Sequence, residues 1–273
     1  MTTASSMTSR WIALDGAANV RDLGGLPTVD GQLTQPNRLI RSDNLQGLTR
    51  ADVRLLVDER DVRAIADLRT TVEVDAEGPG PMTREPHVRV EHYSLFPETG
   101  HNTDAAALDD GDQPVILPWQ DRDRDLGTDH VRRGAAAIYL GYLDERPDSA
   151  LAALRLIAGM EGATIVHCAA GKDRTGIVTA LALAEIGVEP EAIIEDYALS
   201  AERIEAIFRR LAASRTYASD VTLQSVDKHR PRADTMRNVL AAMDEQYGGM
   251  PTWLRANGWT DADAAALRGH LLG

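Results

Sequence analysis

The chain has 273 residues, of which 43% are hydrophobic and 26% are charged, as is typical of a soluble protein with a buried core. Its 42 acidic residues outnumber the 29 basic ones and give a net charge of −13, which argues against general affinity for nucleic acid or anionic lipid. No apolar run is long enough for a membrane span, and a single cysteine excludes an internal disulfide and a cysteine-cluster metal site.

Residues 1–10 are rich in Thr and Ser and lack the apolar segment of a secretory signal, so we predict a flexible tail. Nothing in the composition marks a linker, and we therefore predict a single domain over residues 11–273. The missing signal makes the cytoplasm the default location.

The first predicted elements are a hairpin and a helix. Asp30-Gly31 provides a tight turn for a hairpin over residues 27–33. Thr49 and Asp52 form a capping box, which predicts the start of a helix at that point. The strand patterns that follow cover residues 64–68 and 88–93.

Residues 98–130 have the weakest periodicity and contain many aspartates together with Gly and Pro. Two interpretations stay open for this segment. It is either a solvated surface insertion or a mobile loop that brings a carboxylate to an active site.

Beyond this segment, a buried strand is predicted over residues 163–167, followed by a helix over 175–186 that stops at Gly187. Strands interleaved with helices favour an α/β fold. Further helices are predicted over residues 138–143, 147–157, 190–197, 204–211 and 236–243, and after Thr260.

The segment with the clearest chemistry is HCAAGKDRTG at residues 167–176, here called the cysteine loop, between the predicted strand and helix. A loop that enters a helix N-terminus directs unpaired N–H groups and the positive end of the helix dipole into one concavity, which binds a tetrahedral anion. The small residues Ala169, Ala170 and Gly171 allow the backbone to approach that anion closely.

Cys168 lies at the mouth of this concavity, where the N–H groups favour the thiolate, and a thiolate can attack phosphorus to form a phosphocysteine. Arg174, six residues later, can hold two phosphate oxygens with its planar guanidinium. The hydroxyl of Thr175 can donate to the sulfur and help it to leave in a second step.

Three other interpretations of the loop fit less well. A purely structural cysteine does not explain the glycine, the strand–helix junction and the Arg-Thr-Gly ending. An ATP- or GTP-binding loop requires Ser or Thr after Lys172 and Gly five residues before Gly171, where the chain has Asp173 and Val166. A metal site at the adjacent His167 and Cys168 lacks a second pair of ligands.

HCAAGKDRTG resembles the signature loop of the protein tyrosine phosphatase superfamily. Four further segments resemble the bacterial tyrosine/serine phosphatase family, and the similarity covers most of the chain except residues 98–130. These segments are NVRDLGG at 19–25, RSDNL at 41–45, ADLRTTVE at 66–73 and WLRANGW…LRGHLLG at 253–273.

The resemblance implies an α/β fold with a central sheet flanked by helices, and a helical lid for which residues 204–211 and the stretch to Met236 are candidates. It also implies two-step hydrolysis without a metal or another cofactor. The implied substrates are phosphotyrosine, in some members phosphoserine or phosphothreonine, and phosphoinositides. The Gly171-Lys172 pair further resembles lipid phosphatases, in which the lysine binds additional phosphates, although Lys172 could equally face solvent.

Hydrolysis also needs a proton donor for the leaving group and a base for the attacking water. We hypothesise that Asp173 fills both roles, since the mycobacterial type of the family also carries Asp there. Asp173 could instead only orient Arg174. The rival donors are the aspartates at 121–129 and Glu98.

Two acidic–basic pairs outside the loop have less specific interpretations. Asp67 and Arg69 follow a predicted strand and could face the site. We expect them rather to form a buried ion pair that holds loops together, and we expect the same of Arg21 and Asp22.

The leading hypothesis is therefore a cysteine-dependent phosphatase acting on phosphoproteins. A phosphoinositide phosphatase and a non-catalytic phosphate-binding module are the alternatives, although the module is disfavoured because Cys168, Gly171 and Arg174 are all present. No nucleic-acid partner or stable membrane insertion is expected. The family allows export without a signal, and the oligomeric state is open.

Overall fold

The computed structural model describes residues 10–97, 129–218, 226–227 and 229–273. A mixed five-stranded sheet lies at its centre in the order β1-β2-β5-β3-β4, with β1 antiparallel to β2 and the other pairs parallel. The strands are β1 (Arg21–Asp22), β2 (Leu39–Ser42), β3 (Val62–Asp67), β4 (Arg89–His92) and β5 (Ala163–His167).

The four parallel strands end level with one another. Ser42 pairs with His167, His167 with Asp67, and Asp67 with His92. The carboxyl ends of parallel strands are the usual place for a binding site in such sheets, because the connecting loops meet there. The cysteine loop leaves the sheet at this edge.

Helices flank the sheet, which confirms the predicted α/β architecture. They are α1 (Arg50–Arg54), α2 (Thr71–Glu77), α3 (Asp129–Glu145), α4 (Pro147–Ala158), α5 (Asp173–Glu185), α6 (Pro190–Leu199), α7 (Ile204–Ala213), α8 (Ala233–Tyr247), α9 (Met250–Ala256) and α10 (Asp261–Leu272). Within the described part of the chain, no helix has both the length and the apolar character needed to cross a membrane.

Alternation along the strands divides the core between the two faces of the sheet. In β3, Ala64 and Ala66 belong to a large cluster with side chains of α3, α4, α5, α8 and α10, whereas Ile65 between them belongs to a second cluster that includes Val53 of α1. Val62 also belongs to the second cluster, because the strand register shifts between Val62 and Ala64. Successive strand residues point to opposite faces, so a strand covered on both sides is apolar throughout.

A buried ionic cluster, centred on Asp196 of α6, connects α6 to the first two strands. Its carboxylate binds Arg21 (Nε–Oδ1, 3.0 Å), Arg41 (Nη1–Oδ2, 2.8 Å) and Arg10 (Nη1–Oδ1, 3.0 Å). Arg21 and Arg41 are fully buried. Burial by itself would raise the pKa of Asp196, but the guanidiniums of Arg21 and Arg41 outweigh it and hold the pKa well below its usual range.

Most of the predicted elements are confirmed. The capping boxes at Thr49 and Thr260, the 163–167 strand and the turn at Asp30-Gly31 are present, and Gly31 has a φ of +83°. Helix α3 begins at residue 129, within the last residues of the predicted insertion, and residues 98–128 lie outside the described part.

Two expectations need correction, and one strand was missed. Arg21 pairs with Asp196 rather than with Asp22, whose carboxylate accepts from the backbone of Gly24 instead. Arg10, expected in the flexible tail, joins the Asp196 cluster. Strand β2 was not predicted, because the buried Arg41 interrupts its apolar pattern and only the tertiary ion pair with Asp196 makes that burial possible.

We expect Asp196→Asn to lower the free energy of unfolding by about 3–5 kcal/mol, because the substitution leaves buried guanidiniums without a counter-charge. The low folded-state pKa of Asp196 means that its stabilising effect is complete above the unfolded-state pKa of about 3.9 and is lost as the pH falls through the folded-state value. Urea denaturation from pH 7 down to pH 3 should therefore give a steeper acid loss in the wild type than in the variant. Asp234→Asn, which removes the charge of a largely exposed partner of Arg237, is the control and should change little.

Candidate active site

Cys168 directly follows strand β5, and its side chain is 2% exposed. Helix α5 begins at Asp173, earlier than the predicted Thr175, so Asp173 and Arg174 lie in its first turn rather than in the loop that precedes it. This places both side chains beside the positive end of the helix dipole.

Donors from outside the cysteine loop bind the carbonyl oxygens of successive loop residues. Binding several neighbouring carbonyls of a tight loop from outside favours an arrangement in which its N–H groups face the opposite side and form an anion-binding concavity. The bonds are Asn44 N to Ala169 O (3.0 Å), Asn19 Nδ2 to Ala170 O (3.0 Å), Asn19 Nδ2 to Gly171 O (3.0 Å) and Arg41 Nη2 to Gly171 O (2.9 Å).

The protein backbone itself requires a glycine at position 171. The φ of Gly171 is +66°, and a Cβ there would lie 2.3 Å from the carbonyl oxygen of Ser42 in strand β2. The close approach of the loop backbone to an anion stays a prediction. Ala169 belongs to an apolar cluster with side chains of α7, and Ala170 packs against that cluster.

Arg174 is held by a carboxylate that the sequence reasoning missed. Its Nη1 and Nη2 donate to the two oxygens of Glu73 at 2.6 and 2.9 Å, and Nη1 also donates to the carbonyl of Leu68. The Arg174 guanidinium lies over the ring of Phe96, with its carbon 5.8 Å from the ring centroid. These contacts fix the plane of the guanidinium.

The electrostatics of Arg174 and Glu73 are coupled. Burial disfavours the charged form of Arg174, but Glu73 and, more weakly, Cys168 outweigh it, so the pKa of Arg174 lies well above its usual value. Burial would likewise raise the pKa of Glu73, yet Arg174 overcomes it and the pKa lies below the usual range. The pair therefore stays ionised, and Cys168 lies close enough to contribute.

Glu73 also caps helix α2. It accepts from the backbone N–H of Thr70, while the Thr70 hydroxyl accepts from the backbone N–H of Glu73, and the phenol of Tyr217 donates to Glu73 at 3.0 Å. The pattern Thr70-x-x-Glu73 is a capping box that the sequence displays, and it could have revealed this helix and the position of Glu73.

Asp173 and Lys172 face one another beside two tyrosines. Asp173 Oδ1 accepts a hydrogen bond from the phenol of Tyr139, and Oδ2 lies 3.4 Å from Lys172 Nζ. Lys172 also donates to the carbonyl of His229 at 2.8 Å, and its side chain is only 12% exposed. The alternative of a solvent-facing Lys172 is therefore wrong for this structure.

Thr175 is fully buried, and its hydroxyl has no hydrogen-bond partner among the described residues. The predicted bond to the cysteine sulfur stays a prediction. Asp67 and Arg69 form the expected buried ion pair, with Nε–Oδ1 at 2.9 Å, and Asp67 also lies 3.6 Å from Nε2 of His167.

Helix α7 covers the cysteine loop, in agreement with the lid expected over residues 204–211. Its side chains Ile204, Ile207, Phe208 and Leu211 form an apolar cluster with Ala169 and with other side chains around the loop. A cavity of about 330 Å³ opens between α7 and Ala169. The rest of the predicted lid includes residues 219–225 and 228, which lie outside the described part, as do Glu98 and the aspartates at 121, 123 and 125.

We expect Gly171→Ala to destabilise the protein by about 2 kcal/mol or more, because it combines left-handed backbone strain with overpacking against Ser42. Gly31→Ala is the matched control, since Gly31 also has a positive φ but a Cβ there would meet nothing within 4 Å. Chemical denaturation of both variants separates the cost of the left-handed backbone from the cost of overpacking against Ser42. Equal losses would contradict the proposed conflict with Ser42.

Comparison with known proteins agrees with this geometry. Residues 12–273 match the model of the tyrosine phosphatase family. The chain is 29% identical to the triple specificity protein phosphatase PtpB of Mycobacterium tuberculosis, over 95% of this chain and 98% of the relative. It is 30% identical to a tyrosine-protein phosphatase of Nostoc commune, over 85% of this chain and 73% of the relative. The chain therefore belongs to the tyrosine phosphatase family.

Proposed function

We propose that this phosphatase hydrolyses phosphotyrosine through a phosphocysteine intermediate on Cys168. The observation that carries the proposal is the surroundings of that thiol. Cys168 directly precedes the three loop residues whose carbonyls are bound from outside, and it lies within electrostatic reach of Arg174, which Glu73 holds in place. A thiolate, a concave set of N–H groups and a fixed guanidinium are the groups that phosphoryl transfer to sulfur requires.

In the first step, the Cys168 thiolate attacks phosphorus, so an S–P bond forms as the O–P bond to the leaving group breaks. Charge on the transferring phosphoryl oxygens is stabilised by the inward N–H groups and by Arg174. Asp173 gives its proton to the departing oxygen. The products are the free alcohol or phenol and the phosphocysteine.

In the second step, Asp173 accepts a proton from a water molecule that attacks phosphorus. A new O–P bond forms, the S–P bond breaks, and inorganic phosphate and the thiolate are released. The sulfur is the leaving group here, and a hydroxyl that donates to it lowers the barrier. Thr175, buried two residues after Asp173, is our candidate for this donor.

The contacts of Asp173 support the acid/base role over a purely orienting one. Arg174 is oriented by Glu73, whereas Asp173 contacts Tyr139 and Lys172. The Asp173 side chain is 34% exposed, so substrate or water can reach it. A group that exchanges protons with both needs this access.

Breadth of substrate is a second part of the proposal. The M. tuberculosis relative carries triple specificity in its name, which supports a substrate range wider than phosphotyrosine. We take phosphoserine, phosphothreonine and phosphoinositides as the further candidates, because the family resemblance implies them. Lys172 Nζ, beside Asp173 in the cysteine loop, is suited to an additional phosphate group. The net charge of −13 does not favour an anionic membrane surface, so phosphoprotein stays the leading substrate.

We expect the purified chain to hydrolyse p-nitrophenyl phosphate and a phosphotyrosine peptide in a reaction that vanadate inhibits and EDTA does not. Cys168→Ser should abolish turnover, because a hydroxyl in this position is a far weaker nucleophile than the thiolate. Phosphate release from the peptide and from phosphatidylinositol phosphates, measured side by side, gives the substrate preference.

If the wild type does not hydrolyse the phosphotyrosine peptide but hydrolyses the lipids rapidly, the protein is a lipid phosphatase and the leading proposal is wrong. Tight phosphate binding without turnover of any substrate would indicate a binding module. Turnover that persists in Cys168→Ser would overturn the cysteine mechanism.

We expect Asp173→Asn to lower kcat for phosphotyrosine by about 10²–10⁴-fold, the usual contribution of general acid–base catalysis. The basic limb of the kcat/KM profile should flatten, because that limb reports loss of the proton that the acid must carry. The measurement is a pH–rate profile of the wild type and the variant. If the acidic and basic limbs of the profile are the same in both proteins, Asp173 is not the acid/base, and the aspartates at 121–129 become the candidates.

A further inference from the structure

The two oxygens of the Asp173 carboxylate have different surroundings. Oδ1 accepts from the phenol of Tyr139, which is buried in helix α3, whereas Oδ2 lies 3.4 Å from Lys172 Nζ. One oxygen is therefore bound to the protein interior, and the other lies on the side of the cysteine loop.

The direction of the hydrogen bonds follows from the number of protons. The phenol oxygen of Tyr197 lies 2.7 Å from that of Tyr139. An ionised carboxylate can only accept, so Tyr139 donates its single proton to Asp173, and Tyr197 must donate to Tyr139. Burial, reinforced by the Asp173 charge, raises the pKa of both tyrosines, so both phenols keep their protons over the working pH range.

Packing holds the two phenols in place. The Tyr139 ring is stacked on that of Tyr142 and meets the Tyr197 ring edge-on, with both pairs of centroids 6.2 Å apart. A Cβ at Gly176 would lie 3.0 Å from Cδ2 of Tyr197. Gly176, at the end of the cysteine loop, therefore leaves space for the ring of Tyr197.

We propose that Tyr139 is a positioning residue that binds Oδ1 of Asp173 and so assigns the transferable proton to Oδ2. The inference rests on the proposed acid/base role of Asp173. With Oδ1 occupied as an acceptor, the proton given to the leaving group in the first step departs from Oδ2. The proton taken from water in the second step returns to the same oxygen. Tyr197 holds Tyr139 in the donating orientation.

The test is Tyr139→Phe, assayed with substrates of different leaving groups. A misplaced acid costs most when the leaving group is a poor one, so kcat for a phosphotyrosine peptide should fall by about tenfold, a part of what general acid catalysis contributes. The more acidic p-nitrophenol needs less protonation, and the loss with its phosphate ester should be clearly smaller.

Tyr247→Phe is the matched control. The phenol of Tyr247 also donates to an aspartate, Asp144 Oδ1 at 2.6 Å, and this pair likewise joins a neighbouring helix to α3, but it does not contact Asp173. This variant should keep wild-type kinetics with both substrates. Should Tyr139→Phe fail to fold, Tyr197→Phe, which removes the second donor and keeps the first, should show a smaller loss with the same leaving-group pattern.

Combining Tyr139→Phe with Asp173→Asn separates positioning from general structural damage. If Tyr139 acts through Asp173, the double variant should be no slower than Asp173→Asn alone, to within about twofold. Full additivity, or an equal loss with both leaving groups, would overturn the inference while leaving Cys168-dependent turnover intact. Failure of the proposed function would appear separately, as a wild type without that turnover.

Discussion

The site depends on the binding of the Ala169, Ala170 and Gly171 carbonyls by donors from outside the cysteine loop. A loop can present several N–H groups to one anion only when its peptide groups face the same way, and tight loops do not adopt that arrangement without support. Here the support comes from Asn19, Arg41 and Asn44, all in the N-terminal part of the chain. Arg41 is anchored by Asp196, and Asn19 accepts from Arg21, which Asp196 also binds. The buried ionic cluster thus connects the fold to the shape of the loop.

The same principle applies to Arg174. A buried guanidinium is costly unless its charge is compensated, and Glu73 supplies the compensation in a bidentate pair. That pair also ties the start of α5 to helix α2, since Glu73 caps α2 through Thr70. The donors of Arg174 are fixed at the loop in this way, although the chain as a whole carries a net charge of −13. An acidic protein can bind an anion at such a place, because charge-assisted hydrogen bonds from fixed donors act at short range.

Helix α7 is joined to the cysteine loop by apolar packing and to the end of strand β2 by an ion pair. Its side chains Ile207 and Phe208 belong to the same apolar cluster as Ala169, and Arg210 binds Asp43 at 3.1 Å, next to β2. Small residues in the cysteine loop thus have three different functions. Gly171 prevents a steric clash with strand β2, Ala169 packs in the apolar cluster of helix α7, and Gly176 leaves space for the ring of Tyr197.

The sequence alone determined the elements whose signals are local. The sequence predicted the capping boxes at Thr49 and Thr260, the buried strand 163–167 and the position of the cysteine loop between that strand and a helix. Each of these signals depends on neighbours within a few positions. Only the tertiary structure decided the partners of the buried charges. Glu73 lies 101 residues from Arg174 and Asp196 lies 155 residues from Arg41, and no periodicity records which carboxylate will neutralise which guanidinium. Those pairings follow from burial, because a buried charge is stable only beside an opposite charge, and the fold determines which opposite charge lies near it.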